Sequence, residues 1–430
     1  MEAENKWNKE QMVEKERLGV RTDGSKNSWW KRIVIRIEQS IIIRKISPKH
    51  LSLCYLMIIF AYTDIIKKEV NMKRLLLWTA ITVALLSVQE ASACTGITLH
   101  TTSGTTVTAR TIEWAGNDLE SRYSIVPRGY TQRSFTPGGT KDGMAFTARY
   151  GYVGLAVEQP EFVVEGINEA GLCAGLFYFP SYGEYERYSE DNRESTISDL
   201  QLVSWILGNF KSIDEMKREI YNIHIVTIDP RGSTVHWRIT EPGGRQVVLE
   251  IVGKQLKFYE NKLGVLTNSP GLDWHLTNLN NYTNLFAGPI YTREIGDLTL
   301  TAFGGGGGLH GIPGDMTPPS RFVRAAFFQA TAPRQATGEK AVMQAFHILN
   351  NFDIPTGIQF SERQRVPDIP SATQWTVATD IAGKRIYYRT MHNSTIRCID
   401  LNNIRFAKVK YQSEPLDKDK TQPVVMIRIK

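Results

Sequence analysis

Ala91-Ser92-Ala93-Cys94-Thr95-Gly96-Ile97-Thr98 is the stretch on which the reading of the whole chain turns. Before it stand a basic start, Met72-Lys73-Arg74, an apolar run from Leu75 to Leu86, and a short polar segment, Ser87–Glu90. These are the three regions of an export signal, and Ala91 and Ala93 supply the small residues that a signal peptidase reads. Cleavage after Ala93 would leave Cys94 first in the mature chain, with a thiol and a free α-amine on one carbon. An α-amine titrates at about pH 7.7–8.0. It can therefore take the thiol's proton, so that the nucleophile carries its own base. Two other readings stand beside this one: a lipid-anchored cysteine, and a packed thiol that merely follows a cut site. Lipoprotein sites usually place Leu three residues before the cysteine, and Ala91 stands there.

Further upstream, residues 1–71 are polar and charged, then apolar from about Ser40 to Ile66. The core of that stretch, Leu51–Ala61, is short against the roughly 20 residues a membrane span needs. The second start signal at Met72 suggests that 1–71 is an over-called start of the reading frame; a membrane-anchored extension is the alternative. The expected division is thus 1–71 extension, 72–93 signal peptide and 94–430 a single domain. The leader implies export, to the periplasm of a Gram-negative-type cell, and no stable membrane span in the mature form.

The net charge of +7 invites a nucleic-acid reading, which its distribution removes. Residues 1–93 hold 16 Lys+Arg against 10 Asp+Glu, whereas 94–430 hold 35 against 34. No basic patch is left to argue from in the mature part, so no nucleic-acid partner is expected. Cys54, Cys94, Cys173 and Cys398 include no CxxC pair, which excludes a zinc signature and a disulfide scaffold. With 42% hydrophobic residues, the chain has ample material for a large core.

From Cys94 onward, β-branched runs predict strands at 95–101, 105–112, 123–127, 153–157, 162–167, 172–179, 224–228, 234–239, 247–252 and 264–266. Further strands are expected at 375–380, 385–389 and 396–401. Ser103-Gly104 predicts a hairpin between the first two. Apolar residues at helical spacing predict one or two helices over 198–222, and others over 274–285, 320–331 and 338–350. Blocks of strands alternating with blocks of helices indicate a layered α+β domain. The hairpin would return Ala109-Arg110-Thr111-Ile112-Glu113-Trp114 towards Cys94, where a guanidinium favours thiolate and a carboxylate could hold the α-amine. A surface ion pair is the plainer reading of that fragment.

Further segments follow in order: Glu165-Gly166-Ile167-Asn168-Glu169-Ala170-Gly171-Leu172 with Phe177-Tyr178-Phe179-Pro180, then Leu266-Thr267-Asn268-Ser269-Pro270, followed by Asp273-Trp274 and Leu279-Asn280-Asn281-Tyr282, then Gly311-Ile312-Pro313-Gly314-Asp315 leading into Ser320-Arg321-Phe322. Behind an exposed Cys-Thr-Gly, this ordered set resembles the choloylglycine hydrolase family of bile salt hydrolases and penicillin V acylases. The likeness runs from Cys94 to about Leu401. It implies a four-layer αββα N-terminal nucleophile hydrolase sandwich that acts on a small-molecule amide without metal or organic cofactor, and a homotetramer as one assembly. Residue by residue, it implies Cys94 as nucleophile, Arg110 beside the thiol, Asn268 as an oxyanion donor and Arg321 as a second active-site arginine. Two positions depart from the pattern. Glu113 stands where Asp is usual, and Tyr178 stands where many bile salt hydrolases have Asn and several penicillin V acylases have Tyr. The backbone N–H of Tyr178 would then be the second oxyanion donor. The implied reaction is cleavage of glycine- or taurine-conjugated bile salts, with penicillin V or an acyl-homoserine lactone as alternatives; a non-catalytic lipoprotein is the reading from another class. His100, His224, His236 and His275 fall in strand or helix patterns and are read as structural, as is Cys173.

Overall fold

The computed structural model describes residues 93–228, 234–359 and 369–429. The extension over 1–71, the leader as far as Ser92, and Cys54 lie outside the described residues. The β-branched runs build two large antiparallel sheets. Their strands are, in chain order, β1 (Ala93–His100), β2 (Thr106–Gly116), β3 (Arg122–Val126), β4 (Tyr152–Ala156), β5 (Val163–Asn168), β6 (Cys173–Tyr178), β7 (Val235–Thr240), β8 (Gln246–Val252), β9 (Gln255–Glu260), β10 (Ile369–Asp380), β11 (Arg385–Thr390), β12 (Arg397–Asp400) and β13 (Gln412–Pro415). One sheet has the order β1-β2-β10-β11-β12, the other β9-β8-β7-β6-β5-β4-β3-β13. Gly104 closes the β1–β2 hairpin at φ 81°, a left-handed conformation that favours glycine.

The helices are α1 (Leu202–Asn209), α2 (Ile213–Glu219), α3 (Leu272–Asn278), α4 (Pro318–Thr331) and α5 (Gly338–Leu349). The last two pack on the smaller sheet, over β1, β2 and β10, while α1 packs on β5 and β6 of the larger one. Their sequences fit those places. Helix α5 buries the stripe Ala341, Val342, Ala345, Phe346, Ile348 and Leu349, and α1 is buried from Leu202 to Gly208. The sheets face each other, and the Arg238 guanidinium on β7 donates across the gap to the carbonyls of Ile97 and Ala109. The result is the αββα order.

Three local expectations change. Residues 264–266 form no strand, only a bridge between Leu266 and Gly96. The helix expected over 274–285 ends at Asn278 and continues as a 3-10 turn, Leu279–Tyr282. There Asn280 and Asn281 bond back to Thr277 and Asn278, a local competition that disfavours a regular helix. Strands β9 and β13 carry no apolar run because they are the edges of the large sheet. Among the described residues no helix is long and apolar enough to cross a membrane.

Candidate active site

The hairpin register places Cys94 opposite Ile112 and Gly96 opposite Arg110. Paired residues share a face and alternate residues switch it. Cys94, Gly96 and Arg110 therefore point together into the gap between the sheets, while Glu113 shares the opposite face with Ala93. The glycine of Cys-Thr-Gly is needed there, because a Cβ at Gly96 would stand 2.8 Å from both Arg238 Nη1 and the Phe177 ring. On its free edge, β1 meets the segment around Leu266 through two backbone bonds, Gly96 N–H to Leu266 O (2.7 Å) and the reverse (3.0 Å). That antiparallel bridge carries Asn268 to the position opposite Cys94.

Asn268 is the hub of the result. Its Oδ1 accepts from the backbone nitrogen of Cys94 (2.8 Å) and from Arg321 Nη2 (2.7 Å), and its Nδ2 donates to the Tyr178 carbonyl (2.8 Å). With Ala93 still attached, the Cys94 nitrogen is a peptide N–H that stands in for the α-amine of a cleaved chain. Arg321 Nη1 donates to the Cys94 carbonyl (2.5 Å) and to Thr95 Oγ1 (2.8 Å). The guanidinium is placed from the first turn of α4, where Pro318 provides a pre-set φ and Asp315 accepts from Thr317 N–H (2.9 Å) and from the Ser320 hydroxyl (2.6 Å). Ser269 Oγ bonds the Pro180 carbonyl (2.6 Å), which ties the Thr-Asn-Ser-Pro loop to the end of β6.

The thiol is buried, and burial raises its pKa above the ordinary value. Arg110 opposes this most, Glu113 adds to it, and Arg321 and the Tyr178 backbone N–H, which bonds the sulfur, oppose it further. Glu113 is pushed up to about 7 by burial, against the Arg321 and Arg110 charges and the hydroxyls of Thr111 and Thr373. The structure thus gathers five of the six expected residues around Cys94, namely Cys94 itself, Arg110, Tyr178, Asn268 and Arg321, and places the sixth, Glu113, on the opposite face of the hairpin beside Ala93. The sulfur has one backbone donor beside it, a side-chain amide opposite, and two buried guanidinium groups nearby. Such an arrangement suits attack on a carbonyl whose oxygen needs hydrogen bonds. Among the described residues no cluster of His, Cys, Asp and Glu could hold a metal ion.

The family described as linear amide C–N hydrolases, choloylglycine hydrolase family, matches residues 94–425. The chain belongs to this family. It is a C–N hydrolase of linear amides, and the match begins at Cys94 itself. The bile salt hydrolase/transferase of Clostridium perfringens is 34% identical over 319 residues, spanning 72% of this chain and 92% of that protein. The penicillin V acylase of Pectobacterium atrosepticum is 23% identical over 344 residues, spanning 74% and 83%. A crystal structure of the conjugated bile acid hydrolase from Clostridium perfringens, in a cysteine-to-alanine variant, superposes with a TM-score of 0.68 at 28% identity, covering 78% of this chain and all of that one. A second variant of that protein replaces an arginine sixteen residues after the cysteine, the spacing between Cys94 and Arg110.

The family motifs also contain residues whose work is architectural. Asn168 donates to the Leu207 and Phe210 carbonyls and accepts from Ala170 and Leu172 N–H, so it locks the β5–β6 turn to the end of α1. His236 and His275, whose strand and helix patterns read as structural, brace the site. Their Nε2 atoms bond the carbonyls of Thr267 (3.0 Å) and Asn268 (2.9 Å). Each ring is stacked, His236 on Phe179 at 4.4 Å and His275 on Phe322 at 4.6 Å. Burial holds His275 down to about 4 and hence neutral at pH 7. Histidine within a buried apolar strand, as in Val235-His236-Trp237, is the signal that could have found the first of them.

Proposed function

We propose that the protein hydrolyses the amide bond of glycine- or taurine-conjugated bile salts, with Cys94 as nucleophile after cleavage behind Ala93. The observation that carries this reading is the bond from the Tyr178 backbone N–H to the Cys94 sulfur, with Asn268 fixed on the other side of the same residue. Similarity to the bile salt hydrolase/transferase at 34% identity supports the substrate class. Penicillin V is the second reading, supported by the more distant acylase and by the tyrosine at position 178.

In this mechanism the α-amine, held by Asn268 Oδ1, takes the thiol proton. The thiolate adds to the amide carbonyl carbon, and the resulting oxyanion accepts from Tyr178 N–H and from the second N–H of Asn268 Nδ2, whose first is spent on the Tyr178 carbonyl. The ammonium returns its proton to the leaving nitrogen as the C–N bond breaks, which leaves a thioester. Water, giving its proton to the same amine, then splits the thioester to acid and free thiol. Arg110 and Arg321 favour the thiolate throughout. Export through the leader, with release into a periplasm, belongs to the same proposal, because the cut that exports the chain also uncovers the amine.

The deciding experiment is intact mass and N-terminal sequencing of the exported protein, together with glycine and taurine release from conjugated bile salts. A chain starting at Cys94, with release abolished by Cys94→Ala, is the expected result. Cleavage of penicillin V alone would change the substrate and keep the chemistry. A lipid-modified or internal Cys94 would overturn the mechanism.

A further inference from the structure

Behind the thiol, between the sheets, lies a cluster that the reaction as drawn does not use. Glu165 on β5 is buried between two buried arginines, Arg110 on β2 and Arg238 on β7. Its two ion pairs are unequal. Arg238 Nη2 donates to Glu165 Oε1 at 3.1 Å, whereas Arg110 Nη1 stands 3.7 Å from Oε2, beyond hydrogen-bond reach. Arg110 is held instead by the backbone carbonyls of Thr111, Val164 and Leu176. Its Nη2 is buried with no hydrogen-bond partner among the described residues.

The cluster is a built feature, because glycines make room for it. A Cβ at Gly96 would stand 2.8 Å from Arg238 Nη1, and one at Gly175 would stand 2.1 Å from Glu165 Oε2. Arg238 also donates to Ile97 O and Ala109 O, the carbonyls that flank the Gly96–Arg110 rung. Phe177 lies under both guanidinium groups, 4.0 Å from Arg110 and 5.3 Å from Arg238.

We propose that Arg238 is a positioning residue for catalysis: by taking up the Glu165 carboxylate, it leaves the charge of Arg110 uncompensated and directed at the Cys94 sulfur. Two cations and one anion leave the cluster at net +1. Without Arg238, Glu165 would close on Arg110 and the pair would be neutral. The other charged groups that act on the sulfur are Arg321 from α4 and, from the opposite face of β2, Glu113, with the Tyr178 N–H from β6. Cys173 of β6 also faces the cluster, but burial and the Glu165 charge keep its thiol far above the usual range, so it adds no charge. The proposal rests on Cys94 as the nucleophile and is independent of which amide is cleaved.

The test compares four proteins that begin at Cys94: the natural chain, Arg238→Met, Glu165→Gln and the double variant. Iodoacetamide labelling of the N-terminal peptide is followed by mass spectrometry across pH, so Cys173 and Cys398 do not contribute. Release of glycine from a glycine-conjugated bile salt gives kcat and KM. In Arg238→Met the labelling midpoint rises by about one pH unit, which lowers labelling roughly tenfold below it, and kcat falls with KM unchanged. In Glu165→Gln the midpoint falls. The double variant, again at net +1, returns to the natural midpoint. A folded Arg238→Met with the natural midpoint, or a double variant that stays with Arg238→Met, overturns the proposal. If Arg238→Met does not fold, Glu165→Gln decides: a lowered midpoint supports the proposal and an unchanged one overturns it. Absence of bile salt turnover in a natural chain whose Cys94 labels with these shifts would sink the substrate reading and leave this inference standing.

Discussion

Asn268 offers the sharpest test, because stability and chemistry ask different things of one side chain. Its three bonds, to the Cys94 nitrogen, to Arg321 and to the Tyr178 carbonyl, are all at 2.7–2.8 Å in a buried setting. Asn268→Ala breaks all three. Counting about 1 kcal/mol for each backbone partner and about 1.5–3 kcal/mol for the guanidinium, the loss is roughly 3–5 kcal/mol. For a domain of this length that corresponds to a melting temperature lower by roughly 4–7 °C. Loss of an oxyanion donor separately costs about 10²–10³ in kcat. Asn268→Asp separates the two effects. Its carboxylate keeps both acceptor contacts and pairs its charge with Arg321, but it has no N–H to give and sets a second oxygen against the Tyr178 carbonyl. It should therefore regain part of the stability and none of the rate. The assay is thermal unfolding beside kcat for amide release, on chains beginning at Cys94. An Asn268→Asp enzyme with more than about a tenth of the natural kcat would refute the donor role and leave Asn268 as a brace.

Gly96→Ala should lower stability by about 1–3 kcal/mol through overlap with the Phe177 ring and a bonded Arg238; an unchanged melting temperature would contradict the close approach at that rung. Glu113, raised to about 7 by burial, favours the folded state when protonated, so this stability is complete below about pH 4.5 and is lost as pH rises through about 7. In the chain that retains Ala93, Glu113→Gln should remove a slope worth on the order of 3 kcal/mol across that window, read from denaturant midpoints. His275, lowered to about 4, contributes in the opposite sense: its stability is present above about pH 6.5 and is lost as pH falls through about 4. His275→Gln should flatten the acid limb of the stability profile, and an unchanged limb would place the titrating group elsewhere.

The sequence made the hairpin and its chemistry legible because both are local. β-Branched runs around Ser103-Gly104 can close in only one tight way, and closing them brings Arg110 back to Cys94. Helices α4 and α5 were legible for the same reason, through an apolar stripe that repeats within one segment. What stayed hidden depends on contacts between distant segments. The Leu266 bridge that delivers Asn268 spans 170 residues in sequence, and residues 264–266 look like any short strand. Arg238 sits in a strand that holds no acidic residue, and only the folded sheet, which brings Glu165 two strands away, reveals that its charge is matched.

Glu113 shows how a local reading can place a residue correctly and still miss its face. Arg110 and Glu113 are three residues apart on one strand, so the two-residue period sends them to opposite sides of the sheet. The carboxylate does not share the thiol's pocket. It lies on the α4 side with Thr111, where the Arg321 charge opposes its burial, and its backbone pairs with Ala93. Ala93 is the residue the proposed cut removes, and what takes its place is the charged end of Cys94. A buried carboxyl poised at about 7 is costly to ionise while a neutral alanine pairs with it. With an ammonium at the same strand end, ionisation becomes favourable, by the rule that an opposite charge nearby lowers a carboxyl pKa. On this reasoning the role proposed for Glu113 is to hold the amine rather than to act on the thiol, across the strand end where it pairs with position 93.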